Sequence, residues 1–210
     1  MIREIPKTEV NPWLEEYEMN HEINEDYIAK LSFDSGLLDL PVLKSDDYDK
    51  YLRTDWKSGE YEVGGSIFID PNANLDSSNI TIYGHNYDSG DKMFTPLHQL
   101  KDEANYASNC YLTLSTKDEI RRYIVADVAY VEIKEMGSYQ YLDDLNYMLS
   151  EYDEITFDKY MKALKKVEFY DTKVKLKADS HLLTMQTCVS NRPDLRLIVV
   201  AKEIENIKLR

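Results

Sequence analysis

The sequence predicts a mainly β protein with α insertions, built as a closed or nearly closed sheet. Three observations predict it. Short apolar runs rich in Val, Ile, Tyr and Thr recur from Leu37 to Ala201, and clusters of Asp, Asn, Ser, Gly and Pro separate them. Few stretches carry the helical period instead. Many short strands at close spacing favour closure, because a sheet closed on itself leaves no unpaired edges.

In order along the chain, residues 1 to about 32 read as an amphipathic helical segment, with Trp13, Leu14, Tyr17, Ile23, Tyr27, Ile28 and Leu31 on one apolar face among carboxylates. Residues 1–36 would then form an N-terminal helical cap, and residues 37–210 a single β-barrel unit. The strands expected are Leu37–Leu43, Val63–Ile69, Ile80–Tyr83, Cys110–Leu114, Tyr123–Val131, Thr172–Leu176, Leu182–Met185 and Leu197–Ala201. A helix is expected in the excursion ahead of residue 172. Thr156 supplies its N-cap, and Phe157, Tyr160, Met161, Leu164 and Val167 recur at helical intervals. A second helical stretch is read over Leu142–Tyr152. Tyr139, Tyr141, Tyr147 and Tyr152 suit packing of this excursion on the barrel, and an excursion of such length inside a compact domain is usually functional.

With 210 residues the chain is long enough for one domain with a full core, and 43% hydrophobic with 30% charged residues is an ordinary globular composition. The formal net charge of −14 argues against nucleic acid as a partner, since phosphate backbones require a clustered Lys/Arg footprint and none is present. It suits cationic or amine-bearing partners instead. The longest apolar runs, near Ile198–Ala201 and Ile67–Ile69, fall far short of the roughly 18 residues of a spanning helix. Met1 opens neither a basic n-region nor an apolar h-region, which leaves open a cytosolic chain and one trimmed of its leader. Two cysteines make no disulfide framework. No CxxC or Cys/His cluster points to a metal, the acidic pairs Asp46-Asp47 and Asp143-Asp144 lack the regular oxygen spacing of a calcium loop, and no cofactor is implied.

Two stretches carry chemistry. TIYGHNYDSGDKMF, residues 81–94, is an apolar strand ending in Gly84-His85-Asn86 and passing into turn residues. Strand-to-loop junctions of this kind often carry functional groups. In LLTMQTCVSNRPDLRLIVVAKEI, residues 182–204, one apolar strand ends at Cys188, a polar turn with Pro193 follows, and Arg196 opens the next strand. A hairpin-like pairing would bring Cys188 and Arg196 to one end. A thiol beside a cation ionises more easily, and the thiolate is the nucleophile. A histidine can hand a proton to a leaving amine and take one from an incoming nucleophile. A guanidinium aimed at a carbonyl oxygen stabilises the oxyanion of a tetrahedral intermediate. Taken singly, each residue has a blander use, as a turn histidine, an inert buried cysteine and a surface ion-pair arginine. The other histidines, His21, His98 and His181, and Cys110 read as structural.

TIYGHN at 81–86, together with TC at 187–188 and RLIVVAKEI at 196–204, resembles the sortases, the cysteine transpeptidases of Gram-positive bacteria. Gly65-Ser66-Ile67-Phe68-Ile69-Asp70, Met93-Phe94 with Leu97, and the helix inserted ahead of the cysteine strand resemble class B. The resemblance covers nearly the whole chain from Leu37. It implies an eight-stranded barrel with N-terminal helices, and it implies His85, Cys188 and Arg196 as catalytic residues. It further implies cleavage of a C-terminal sorting signal after Thr through a thioacyl enzyme, then transfer to an amine of a peptidoglycan precursor, on the outer face of a membrane to which an N-terminal segment tethers the enzyme. Met185-Gln186-Thr187 stands where many sortases have Leu-Ser-Thr, and Ser190 stands where some class B members carry an acidic residue. Gln186, Thr187 and Ser190 are therefore the expected substrate contacts. Two alternatives remain, an inactive sortase-like module that only binds sorting signals and a pilus-assembling sortase. A papain-type protease lacks its signature around the cysteine.

Overall fold

A computed structural model of the chain describes residues 2–4, 12–87, 92–133 and 147–209. The architecture follows from strand pairing. The strands are β1 (Ile2–Glu4), β2 (Tyr27–Phe33), β3 (Asp39–Lys44), β4 (Ile67–Ile69), β5 (Asn79–Tyr83), β6 (Tyr111–Thr116), β7 (Glu119–Glu132), β8 (Leu182–Val189) and β9 (Arg192–Lys208). They run in the order β1-β9-β7-β6-β2-β3-β4-β5-β8, and β8 also pairs with β9. That last pairing closes a ring of eight strands, β2 to β9, with β1 appended in parallel to the end of β9. β3 with β4 and β5 with β8 are parallel, and the other ring pairs are antiparallel. The expected eight-stranded barrel is thus the observed one.

Strand alternation sorts the apolar residues onto two faces. Inside the ring lie Ala29, Leu31, Val42, Ile67, Ile69, Ile80, Ile82, Leu183, Met185, Leu197 and Val199, all buried in one core. On the outer face, Leu182, Ile198, Val200, Ala129 and Val131 pack against Tyr147 and the helix α3 (Glu154–Leu164). A second outer cluster joins Tyr17 of α1 (Pro12–Ile23) to Tyr27, Leu43, Tyr51, Phe68 and Tyr83. A single-turn helix α2 (Tyr106–Asn109) precedes β6.

The structure corrects several sequence expectations. The N-terminal helix ends at Ile23 and does not run to residue 32. Asn24 Oδ1 accepts the Asp26 amide at 2.9 Å, turning the chain, and Tyr27 to Phe33 then enters the barrel with every second side chain buried. The period there is two, and the apparent helical match came from Ile28 standing beside Tyr27. The inserted helix is present, but its N-cap is Asp153. Asp153 Oδ1 accepts the Thr156 amide at 2.7 Å, while Thr156 Oγ1 accepts the Asp153 amide, so Thr156 is the second half of a capping box. Thr172–Leu176 forms no strand: Lys173 takes φ 67°, and the Thr172 hydroxyl donates to the Ala126 carbonyl across the ladder line. Residues 147–152 are not helical, because fully buried Asn79 captures the Tyr147 and Leu149 carbonyls at 2.7 and 2.9 Å. Residues 142–146 of that expected helix, together with Tyr139, Tyr141, Asp143-Asp144 and the turn residues 88–91, lie outside the described residues.

Candidate active site

Alternation along three strands decides which side chains meet. On β8, Leu183 and Met185 point into the barrel, so Gln186 and Cys188 point outward. On β9, Cys188 stands directly opposite Arg196, and Gln186 opposite Ile198. On β5, Tyr83 is the parallel partner of Gln186, and the Gly84 amide extends that ladder to the Gln186 carbonyl at 3.1 Å. Two residues beyond Tyr83 on the same face comes His85. A side chain at Gly84 would point inward, where a Cβ would sit 2.7 Å from the Phe94 ring and 2.8 Å from Ile67 Cγ2. Glycine lets the strand end lie against the core, and this turns His85 outward.

The result is one cleft of about 170 Å³ lined by His85, Cys188 and Arg196 together with Gln186 and Thr187. Tyr48, Leu52, Phe68 and Tyr83 supply its apolar wall. Tyr48 meets the Phe68 and Tyr83 rings edge-on at 5.6 and 5.4 Å, so this wall is a packed aromatic triad.

Each polar group is held from behind. His85 Nε2 lies 2.8 Å from the Leu52 carbonyl, which fixes the ring plane and places the proton of the neutral ring on Nε2. Burial holds the His85 imidazole below its ordinary range. The Leu52 carbonyl opposes that effect, and the nearby Arg53 guanidinium adds to it. Arg196 Nη1 donates to the Pro193 and Leu195 carbonyls at 2.9 and 2.8 Å. The remaining guanidinium nitrogens make no protein hydrogen bond among the described residues, which leaves that side of the fork for a ligand. Cys188 is exposed and unpaired, whereas Cys110, also unpaired, is buried in the barrel core, where burial pushes its thiol up.

Of the three expected substrate contacts, Gln186 and Thr187 line the cleft. The Gln186 side-chain oxygen accepts the Tyr147 hydroxyl, and the Thr187 hydroxyl is buried with no hydrogen bond among the described residues. Ser190 is outside the cleft lining, at the turn, where its hydroxyl accepts Asn86 Nδ2 at 3.0 Å. Sequence reasoning missed Tyr48 and Leu52 as cleft residues, whereas Tyr147 packs on the barrel as expected. Tyr83 was within reach of it, being two residues before His85 on the same strand, but nothing local marks a tyrosine 35 or more residues away as a wall of the same cleft. His98, read as a packing residue, lies with Nε2 3.0 Å from the carbonyl of Cys188.

A family profile described as "Sortase domain" matches residues 32–204. The chain belongs to the sortase family. Sortase B of Listeria monocytogenes serovar 1/2a is 30% identical over 170 residues, covering 79% of this chain. The alignment spans 64% of that protein's length. Among solved structures, sortase B of Clostridium perfringens superposes with a TM-score of 0.76 at 28% identity, covering 89% of this chain and 98% of that one. The Staphylococcus aureus sortase B–substrate complex shares the fold, with a TM-score of 0.78 at 22% identity, 90% of this chain and 85% of that one. The class B resemblance read from the sequence thus recurs both in a curated relative and in solved structures.

Proposed function

We propose that this chain is a cysteine transpeptidase of the class B sortase type, with Cys188 as nucleophile, His85 as proton carrier and Arg196 as oxyanion stabiliser. The observation that carries this reading is the meeting of these three side chains, from β8, β9 and the chain just past β5, on the outer face of one barrel over a single cleft. His85 takes the Cys188 proton as sulfur attacks the carbonyl carbon of the Thr of a sorting signal. Arg196, anchored on its own turn by Nη1, offers its free nitrogens to the developing oxyanion. Collapse breaks the C–N bond, His85 returns the proton to the leaving amine, and a thioester remains on Cys188. An amine of a peptidoglycan precursor then attacks the thioester, His85 takes its proton, and the thiol is regenerated as the new amide forms. The cleft supports the peptide reading as well, since an aromatic wall lies on one side and the Gln186 amide on the other. The site of action under this reading is the outer membrane-facing space, with the chain held there by an N-terminal segment.

The test pairs the chain with its Cys188→Ala variant on a panel of quenched fluorescent sorting-signal peptides, with and without a glycine or diamino-acid amine, with products read by mass spectrometry. Cysteine-dependent cleavage after Thr with an amine-ligated product is expected. Turnover retained by Cys188→Ala would remove the nucleophile assignment, and binding without cleavage or adduct would favour an inactive module.

A further inference from the structure

The ladder between β5 and β8 stops short of the residues it must align. Its last Cα pair is Tyr83 with Gln186, and one further hydrogen bond joins Gly84 to Gln186. His85 and Cys188 therefore project beyond the shared ladder, on two strand ends that the sheet itself does not tie together. On the Cys188 side the pairing with β9 is also irregular, since the register shifts between Cys188 and Val189.

One short segment reaches both ends. The 3-10 helix Thr95–Lys101 is rooted in the barrel core by buried Pro96, Leu97 and Leu100. At its start, the Phe94 amide donates to the His85 carbonyl at 3.0 Å, and the Thr95 hydroxyl accepts the Tyr87 amide at 2.6 Å. One turn later, His98 Nε2 lies 3.0 Å from the Cys188 carbonyl. A carbonyl only accepts, so Nε2 carries the hydrogen. The same rigid segment thus grips the backbone of the histidine and the backbone of the cysteine.

We propose that His98 is a positioning residue for Cys188. Its Nε2–H holds the Cys188 carbonyl and so fixes the thiol against Arg196 and at a set distance from His85. The proposal rests on the reading of Cys188 as the nucleophile, and it assigns His98 no proton transfer. Removing the grip lets the Cys188 end of β8 drift relative to His85. The thiol then attacks from a poorer geometry.

The experiment compares His98→Gln, whose amide reaches the Nε2 position, with His98→Asn, whose donor falls short of it, and His98→Leu, which has none. Two quantities are read on the full chain: kcat and KM for peptide transfer, and the rate of Cys188 alkylation by iodoacetamide at fixed pH, with Cys188→Ala as the blank. Losses of kcat between about tenfold and a hundredfold are expected for Asn and Leu, with KM within about twofold and Gln close to the parent. The alkylation rate falls in Asn and Leu and returns in Gln. Parental kcat in Leu and Asn, or Gln falling as far as they do, overturns the proposal, as does a loss confined to KM. Asn, polar and of similar size, keeps the comparison open if Leu fails to fold. If the parent chain turns over no peptide, the functional reading has failed, and the alkylation rates alone decide the role of His98: an unchanged rate overturns it and a lowered one restored by Gln upholds it.

Discussion

Gly84 shows how much a single missing methyl group decides. Its inward direction runs into Phe94 and Ile67, both buried in the barrel core, so an added Cβ forces one of two responses. Either the core repacks, at a cost of about 1–3 kcal/mol for overpacking, or the strand end lifts and carries His85 with it. Both follow from the same 2.7 Å approach to the Phe94 ring. Gly84→Ala is expected to lower the melting temperature and to cut kcat by more than about tenfold, because a displacement near 1 Å at a reacting group suffices for losses of that size. Calorimetry together with steady-state kinetics checks it. A variant with parental stability and turnover would show that the strand end has slack the geometry denies. At this scale the sequence was informative wherever chemistry is local: a histidine after a glycine at a strand end, a cysteine and an arginine eight residues apart across a turn. It was silent where a partner arrives through space, as with the Leu52 carbonyl on His85, because backbone acceptors have no sequence signature.

Among the elements, the inserted helix α3 is attached by more than apolar contact. Phe157, Tyr160 and Leu164 bury one face on β7, β8 and β9, each contributing roughly 1.5–3 kcal/mol. Just beyond the helix, Glu168 bridges to Ala129 of β7 and its carboxylate meets Lys165 at 2.6 Å. Beside it stands Asp127, 1% exposed, at a register shift of β7, with Tyr160 and Tyr170 also close. Burial first, and then Glu168, push the Asp127 carboxyl from its ordinary 3.8 up to about 8, with Lys165 opposing. The native state therefore keeps a proton that the unfolded chain releases. Between those two values the native state binds more protons, and stability falls as pH rises. Asp127→Asn keeps the shape and a donor toward Glu168 while removing the titration. The urea midpoint of the parent is expected to drop between pH 5 and pH 8 more steeply than that of Asp127→Asn, and parallel pH slopes would refute the coupling. The helix itself was legible in sequence because its 3.6-residue period is long and clean. β2 was misread because a seven-residue strand with Ile28 between buried Tyr27 and Ala29 imitates a helical face. The supposed strand at Thr172–Leu176 failed for a different reason, since β-type residues there meet a positive φ at Lys173 and a side-chain bond to β7 in place of a ladder.

For the whole molecule, the barrel makes the site by bringing together strands far apart in sequence. β5 and β8 are neighbours although about a hundred residues separate His85 from Cys188, and only the closing β8–β9 pairing sets Arg196 beside both. Closure was legible as many short strands; strand order was not, because the two parallel neighbours in the site region depend on long crossovers that leave no periodic trace. The charge is likewise a property of the whole chain. A net −14 surrounds a cleft whose own charged lining residue is cationic Arg196. Under the proposed function, the field at long range would attract a cationic amine acceptor, whereas at contact the cleft would repel it until the amine loses its proton. Salt screens the first effect, because the Debye length shrinks from about 30 Å at 0.01 M to about 3 Å at 1 M, and leaves contact chemistry largely untouched. With the thioacyl enzyme formed, kcat/KM for a diamino-acid amine is therefore expected to fall several-fold, on the order of 3 to 10, as ionic strength rises over that range. Alkylation of Cys188 by neutral iodoacetamide should stay flat across the same series. If both rates fall together, salt is acting on the fold or on the thiolate, and the acidic surface has no part in gathering the acceptor. If neither changes, the acceptor arrives without electrostatic guidance, and the charge serves only to keep the chain apart from its copies.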